Sequence, residues 1–277
     1  MLDWYRSRRY APPIIMSDDD RRPRIQITDS TLIPERGQNT VFSAWRIAFA
    51  GSIILVIGLP LFIPDPYLRI FMFIKDGLII TFEVTIFAII LATAIGLLAG
   101  LGQISLNPIL NRAVTVYVEV VRGIPLMVQL FFAYYAFGKI FPIDAVVAAV
   151  LAMGFCYGAY MGEIFRAGIQ SVPKGQMEAA LALGLSRGQA FRLVIVPQTI
   201  KIILPAIGNE FIALLKDSSL VSALALADLT RRGKEFQSQT FQLFEAYTMV
   251  ALVYLVITLS LSRLVGILEE RLNRNAR

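Results

Sequence analysis

Histidine is absent from the 277 residues, and cysteine occurs once. Without imidazole the chain has no Ser/His or Cys/His nucleophile pair and lacks the commonest metal ligand. A lone Cys156 builds neither a disulfide framework nor a zinc cluster; set in an apolar run, it reads as a small buried residue. Charge is scarce too: 17% of residues are charged, 56% are apolar and mean hydropathy is +0.65. An average soluble domain carries about 25% charged residues, so the deficit points to lipid as solvent and excludes most soluble enzymes. The excess of 26 Lys and Arg over 20 Asp and Glu would suit nucleic acid in a soluble chain. In a membrane chain it belongs to cytoplasmic loops, and no nucleic-acid partner is expected.

What the sequence does contain is a series of apolar runs long enough to cross a bilayer, about 20 residues each. Residues 47–63 are free of charge. Residues 77–101 are interrupted only by Glu83, an isolated acid that would cost about 3 kcal/mol at a helix centre and so must face protein or the outer interface. A third run, 113–138, carries Glu119 and Arg122 in its first half, and its aromatics Phe131, Phe132, Tyr134 and Tyr135 read as a belt or as packing. The fourth is 144–166 and the last 246–262. A weaker candidate, 196–216, holds Pro197, Lys201, Pro205, Asn209 and Glu210. Counting it as a span gives an all-α polytopic membrane protein of about six transmembrane helices, with both termini on one side. On that topology 18 Lys and Arg residues fall on the side of the termini and 7 on the other, so both termini are expected to be cytoplasmic. Arg231, Arg232 and Lys234, clustered outside, stand against it.

Residues 1–42 differ from the rest, with Arg8-Arg9, Asp18-Asp19-Asp20 and Arg21-Arg22 and no long apolar run. They read as a solvated cytoplasmic tail, since no apolar segment follows the basic start as in a signal peptide. Residues 43–63 form a first transmembrane helix, and 267–277 read as a cytoplasmic C-terminal tail.

The most informative segment is the loop 170–198, QSVPKGQMEAALALGLSRGQAFRLVIVPQ. Gln176 to Leu183 are good helix formers, and Gly184 stands where a left-handed residue would end the helix. Ser186 and Gln189 have capping-box spacing, which predicts a second helix from Ser186 to Pro197. The small residues Ala179, Ala180 and Ala182 let one face of the first helix lie close to a partner.

This loop resembles that of the membrane subunits of ATP-binding-cassette importers, in particular the polar amino acid permeases. Glu178-Ala179-Ala180, Gly184, Val194, Val196 and Pro197 keep the spacing of that family's Glu-Ala-Ala loop, with Val where Ile and Leu are more usual. Three further stretches are similar to the amino acid branch: Arg122 to Leu126 (RGIPL) with Gln129, Tyr160 to Ile169 (YMGEIFRAGI), and Asn209 to Leu220 (NEFIALLKDSSL). The resemblance covers about residues 75–266 and implies a type I permease core of five helices, to which the helix at 43–63 is an addition. It implies a plasma-membrane subunit of a bacterial inner membrane, dimeric with itself or a similar permease, that takes a polar amino acid from an extracytoplasmic binding protein. Glu178, Ala179, Ala180, Gly184 and Ser186 would then couple the chain to separate ATPase subunits.

No phosphate-binding Gly-x4-Gly-Lys-Ser/Thr occurs, since Gly233-Lys234 is followed by Glu235. The chain is therefore not expected to be an enzyme or to hold a cofactor, and ATP and magnesium would be bound by the partner ATPases. Two carboxylate and guanidinium pairs stand three residues apart, Glu119 with Arg122 and Glu163 with Arg166; they read as self-neutralising structural pairs, with a cytoplasmic gate as the alternative. Asn209 and Lys216, like Glu210 and Asp217, are seven apart and recur on one helix face. With Ser219 they are the candidates for a translocation path, against a purely structural network. A permease for another small solute keeps the loop and changes the cargo. A proton-coupled secondary transporter using Glu83, Glu119 or Glu163 would leave the loop unexplained.

Overall fold

The computed structural model of the protein describes residues 43–274 apart from residue 225; the expected N-terminal tail, 1–42, lies outside the described residues. Every regular element among the described residues is helical. Among these residues five helices are long and apolar enough to cross a membrane, and six when a sharply bent pair counts as one.

The first helix, α1 (Ala44–Phe62), begins at Ser43, whose hydroxyl accepts from the Arg46 N–H at 3.4 Å. It packs on α2 (Pro64–Ile74) and on the last helix, α11 (Leu243–Arg274). The Arg263 guanidinium stands 5.9 Å from the Trp45 ring centre, which puts the start of α1 and the C-terminal part of α11 at the same end of the bundle. Helix α11 runs on to Arg274, so most of the expected C-terminal tail is helix. Its last turns follow directly from the final span: no Pro interrupts them, and Gly266 sits inside the helix without ending it.

The centre of the bundle is α3 (Gly77–Gln103) against α6 (Ala145–Gln170). In lipid an apolar side chain gains little by leaving the solvent, so helices are held by close van der Waals fit, and small residues make that fit possible. A methyl group added at Gly158 would stand 2.7 Å from the Ile95 side chain, and one at Gly96 would overlap the Met161 Cβ. Around this seam Val84, Ala88, Ala92, Leu130, Met153 and Leu214 are completely buried.

The third apolar run is not one straight span. It divides into α4 (Pro108–Gly123) and α5 (Leu126–Phe131) with following turns to Lys139, and the two parts meet at 100°. The cause is local: Pro125 has no N–H to give the Val121 carbonyl, and it holds Ile124 in an extended conformation (φ −104°, ψ 129°).

The loop after α6 forms α7 (Lys174–Ala182) and α8 (Arg187–Ala190). The second of these does not end at Pro197 as the sequence suggested. A widened π turn, Phe191–Ile195, leads straight into α9 (Val196–Asp217), with Pro197 in its first turn. Pro197 has no N–H to give the preceding turn, and the widened π turn takes up its ring. The weakest hydropathic candidate is thus part of one of the longest helical stretches.

The connection from α9 to α11 contains a helix the sequence reading did not find, α10 (Leu229–Thr240). It is polar on one face and buries Leu229 and Phe236 against Ile70, Ile74 and Met249. Asp228 caps it, accepting from the Thr230 and Arg231 N–H groups at 3.0 and 2.9 Å. Burial pushes the Asp228 carboxyl up to about 6 against the pull of those donors. The clustered Arg231 and Arg232 both reach Glu235 at 3.1 Å. The basic cluster that counted against the six-span topology is therefore partly neutralised on a helix packed against α2 and α11.

The seam makes a stability prediction. Gly96→Ile should destabilise the purified protein by about 1–3 kcal/mol or more, because two rigid helices have to part. Gly51→Ala on α1, where nothing lies within 4 Å of the new methyl, should be neutral or gain up to about 1 kcal/mol from helix propensity. Thermal unfolding in detergent reads both, and equal behaviour of the two variants would refute the packing argument.

Candidate translocation cavity and coupling loop

The bend in the third span opens a cavity of about 450 Å3 between three elements. One wall is the bent backbone from Arg122 to Leu126, the second is α6 with Cys156, Tyr157 and Tyr160, and the third is α9 with Glu210, Ala213 and Asp217. The Tyr157 hydroxyl donates to Asp217 Oδ2 at 2.7 Å, and the Arg122 guanidinium lies 5.1 Å from the centre of the Tyr160 ring, within cation–π range. The cavity therefore presents one cation and two carboxylates around two tyrosines. Arg122 on the aromatic face keeps its N–H edges available to a carboxylate, which a guanidinium meets with paired hydrogen bonds.

Helix periodicity decides which candidate residues reach this space. Glu210 and Asp217, seven apart, share the α9 face that lines it. Asn209 and Lys216, also seven apart, lie on the exposed face, and Ser219, half-buried in the short 3-10 segment after α9, is not among the lining residues. The i, i+3 pairs behave differently from each other. Arg166 Nη2 meets Glu163 Oε2 at 2.6 Å, Gln103 Nε2 donates to Glu163 Oε1 at 2.8 Å and Arg166 Nη1 donates to Gln170 at 2.7 Å. That network ties the end of α3 to α6. Glu119 instead points outward from α4, and among the described residues no ion pair joins it to Arg122, which sits against Tyr160. Glu83 is half-buried on α3 and away from the cavity.

Sequence reasoning missed Tyr157 and Tyr160 as lining residues. Their three-residue spacing on an apolar helix was a usable signal, because an i, i+3 pair of polar-tipped aromatics facing one way needs a polar neighbour.

The loop has the turn chemistry its sequence spelled out. Gly184 has φ +85°, its N–H donates to the Leu181 carbonyl at 3.0 Å and that of Leu185 to the Ala180 carbonyl at 3.2 Å, the two bonds of a Schellman ending. Both arms of the capping box form: the Gln189 N–H donates to Ser186 Oγ at 3.3 Å and the Ser186 N–H to Gln189 Oε1 at 2.9 Å. Val172, Ala180, Ala190 and Ile195 are buried. Glu178 and Ala179 face outward, and Leu183 is 84% exposed. A leucine held that far into solvent by a rigid turn has the form of a contact surface. The loop also connects the two helices that carry the cavity, α6 and α9.

A polytopic helical chain with a charged cavity between its spans and a rigid loop projecting from one end is a membrane transport subunit. The family model described as binding-protein-dependent transport system inner membrane component matches residues 92–274, and the chain belongs to that family. It is 37% identical over 203 residues to the probable amino-acid permease protein YxeN of Bacillus subtilis (strain 168), covering 72% of this chain and 91% of that one. It is 39% identical over 200 residues to the glutamine transport system permease protein GlnP of Escherichia coli (strain K12), covering 71% and 91%. Among solved structures, one described as an amino acid ABC transporter with histidines is 42% identical, with a TM-score of 0.69, over 74% of this chain and 95% of its own. The inward-facing MetNI methionine ABC transporter, at 22% identity and a TM-score of 0.58, shares the fold.

The glycine ending predicts a specific outcome. A Cβ at Gly184 has open space around it within this chain, so Gly184→Ala tests backbone conformation and not crowding. The variant should cost about 1–2 kcal/mol in the loop, the usual penalty for an L-residue in the left-handed region, with the rest of the bundle unchanged. Amide exchange of residues 176–190 should rise selectively; exchange as slow as in the wild type would show that the turn does not need glycine.

Proposed function

We propose that this chain is the permease subunit of an ATP-binding-cassette importer for a polar amino acid, and that the cavity beside the broken third span is part of its pathway. The observation that carries the reading is the set of charges in that cavity. An amino acid brings a carboxylate and an ammonium on one carbon; Arg122 suits the first, Glu210 and Asp217 the second, and tyrosine hydroxyls suit either. The surplus carboxylate leaves room for a polar or basic side chain. The amino-acid permeases among the relatives support the same cargo class.

The remaining parts follow from what the chain lacks. It has no nucleotide-binding loop, so ATP and magnesium belong to separate ATPase subunits, and the exposed face of α7 with Glu178, Ala179, Leu183 and Gly184 is the surface that meets them. Closure of the ATPases pushes this loop, and α6 and α9 carry the push to Tyr157, Tyr160, Glu210 and Asp217. A second permease subunit closes the open side of the cavity, and an extracytoplasmic binding protein delivers the cargo at the α10 end. Both termini are cytoplasmic, on the side of the loop.

The test is uptake by the complete transporter in proteoliposomes across a panel of amino acids. Arg122→Gln and Glu210→Gln should each lower uptake of the preferred amino acid by 10-fold or more, while Asn209→Leu on the exposed face of α9 stays within 2-fold of wild type. Wild-type rates for both cavity variants would move the pathway elsewhere. Uptake driven by a proton gradient without ATP would instead establish a secondary transporter.

A further inference from the structure

We propose that Gln129 is the positioning residue of the cavity: its side-chain amide replaces the backbone donor that Pro125 lacks and thereby fixes the wall that presents Arg122. The inference rests on the reading of the cavity as a pathway, and it concerns a residue that does not line the cavity itself.

In an unbroken helix the Val121 carbonyl would accept from the N–H of residue 125, and proline has none. The Ile124 carbonyl is lost to the helix as well, because its residue is extended. The Val121 carbonyl keeps only a long 3.4 Å bond from the Ile124 N–H, and backbone carbonyls without a full partner are costly within a span. Gln129 Nε2 donates to the Val121 carbonyl at 2.8 Å and to the Ile124 carbonyl at 2.9 Å. One primary amide has two N–H groups, and both are used. The same nitrogen lies 3.5 Å from Cys156 Sγ on α6, so the bend is also seated against the neighbouring helix. The α5 turn is closed by its own backbone, with the Val128 and Gln129 N–H groups donating to the Pro125 carbonyl. This turn points the Gln129 side chain back across the break. A second, largely apolar cavity of about 600 Å3 adjoins Ile124 and is lined partly by Gln129. Ile124 lines both cavities, so the bend at this residue stands between them. Gln129 is the side chain that bridges the Val121 and Ile124 carbonyls, and Arg122 is the next residue after the first of them.

The experiment uses the assembled transporter with Gln129→Met, Arg122→Gln and the double variant. Two quantities are read: uptake, and the alkylation rate of Cys156, the only thiol in this chain. If Gln129 acts through Arg122, Gln129→Met lowers uptake by 10-fold or more, and the double variant is no more than 2-fold worse than Arg122→Gln alone. Cys156 alkylation should rise at least 5-fold in Gln129→Met and stay near wild type in Arg122→Gln. Losses that multiply, wild-type uptake in Gln129→Met, or unchanged alkylation in that variant would each overturn the proposal. Wild-type uptake in Arg122→Gln would overturn the pathway reading and the route through Arg122 with it, and the alkylation rate separates that failure from a failure of the Gln129 contact. Should Gln129→Met not assemble, Pro125→Ala/Gln129→Met returns a backbone N–H to the Val121 carbonyl and should recover at least half of wild-type assembly; no recovery would refute the substitution of one donor for the other.

Discussion

A helix inside a bilayer cannot give up a backbone hydrogen bond unless something else supplies it. The rest of this structure depends on how that constraint is met at one place, the Gly123-Ile124-Pro125 break. A straight third span would pack its side chains on α6 and leave no room. The bend turns the 122–126 backbone into a cavity wall, brings Arg122 onto Tyr160 and faces both toward Glu210 and Asp217. Pro125 makes the bend and Gln129 makes it tolerable.

The surrounding bundle provides the rigidity such a wall needs. The glycines of α3 and α6 let the two helices meet at near-backbone distance, and the Gln103, Glu163, Arg166 and Gln170 network fastens their ends beside the loop. Helix α6 then passes into the loop, and the loop passes through a π turn into α9, so the cavity residues of both helices are mechanically continuous with α7. In the proposed importer a push on Glu178 or Leu183 reaches Tyr160 and Glu210 through the short turns at 171–173 and 183–186. A flexible connection would absorb it.

Much of this was legible in the residues. The loop was the clearest part: the Gly184 ending and the Ser186 capping box are short-range chemistry, and both bonds of each motif form where spacing put them. The apolar runs gave the spans because composition over about 20 residues outweighs single polar interruptions. The bend was less accessible. RGIP was visible, but whether a Gly-x-Pro kinks a span or breaks it by 100° depends on a side chain four residues further on and on the helix behind it. On α9 the sequence offered two faces, 209/216 and 210/217, and only the packing of α6 against one of them told which was inward. Helix α10 was hidden because its polar face resembles a loop and its apolar anchor, Leu229 with Phe236, is too short a pattern to stand out. Tyr157 drew no notice for a related reason, since its partner, Asp217, is 60 residues away.

The central claim is that cargo passes through the cavity bounded by Arg122, Tyr157, Glu210 and Asp217. Cys156 lines that cavity and is the chain's single thiol, so its alkylation in the otherwise unmodified transporter reports occupancy directly. The account predicts that saturating concentrations of the transported amino acid slow the labelling of Cys156 severalfold, and that an amino acid the transporter rejects does not. A labelling rate that no cargo changes, in a transporter shown to be taking that cargo up, would contradict it.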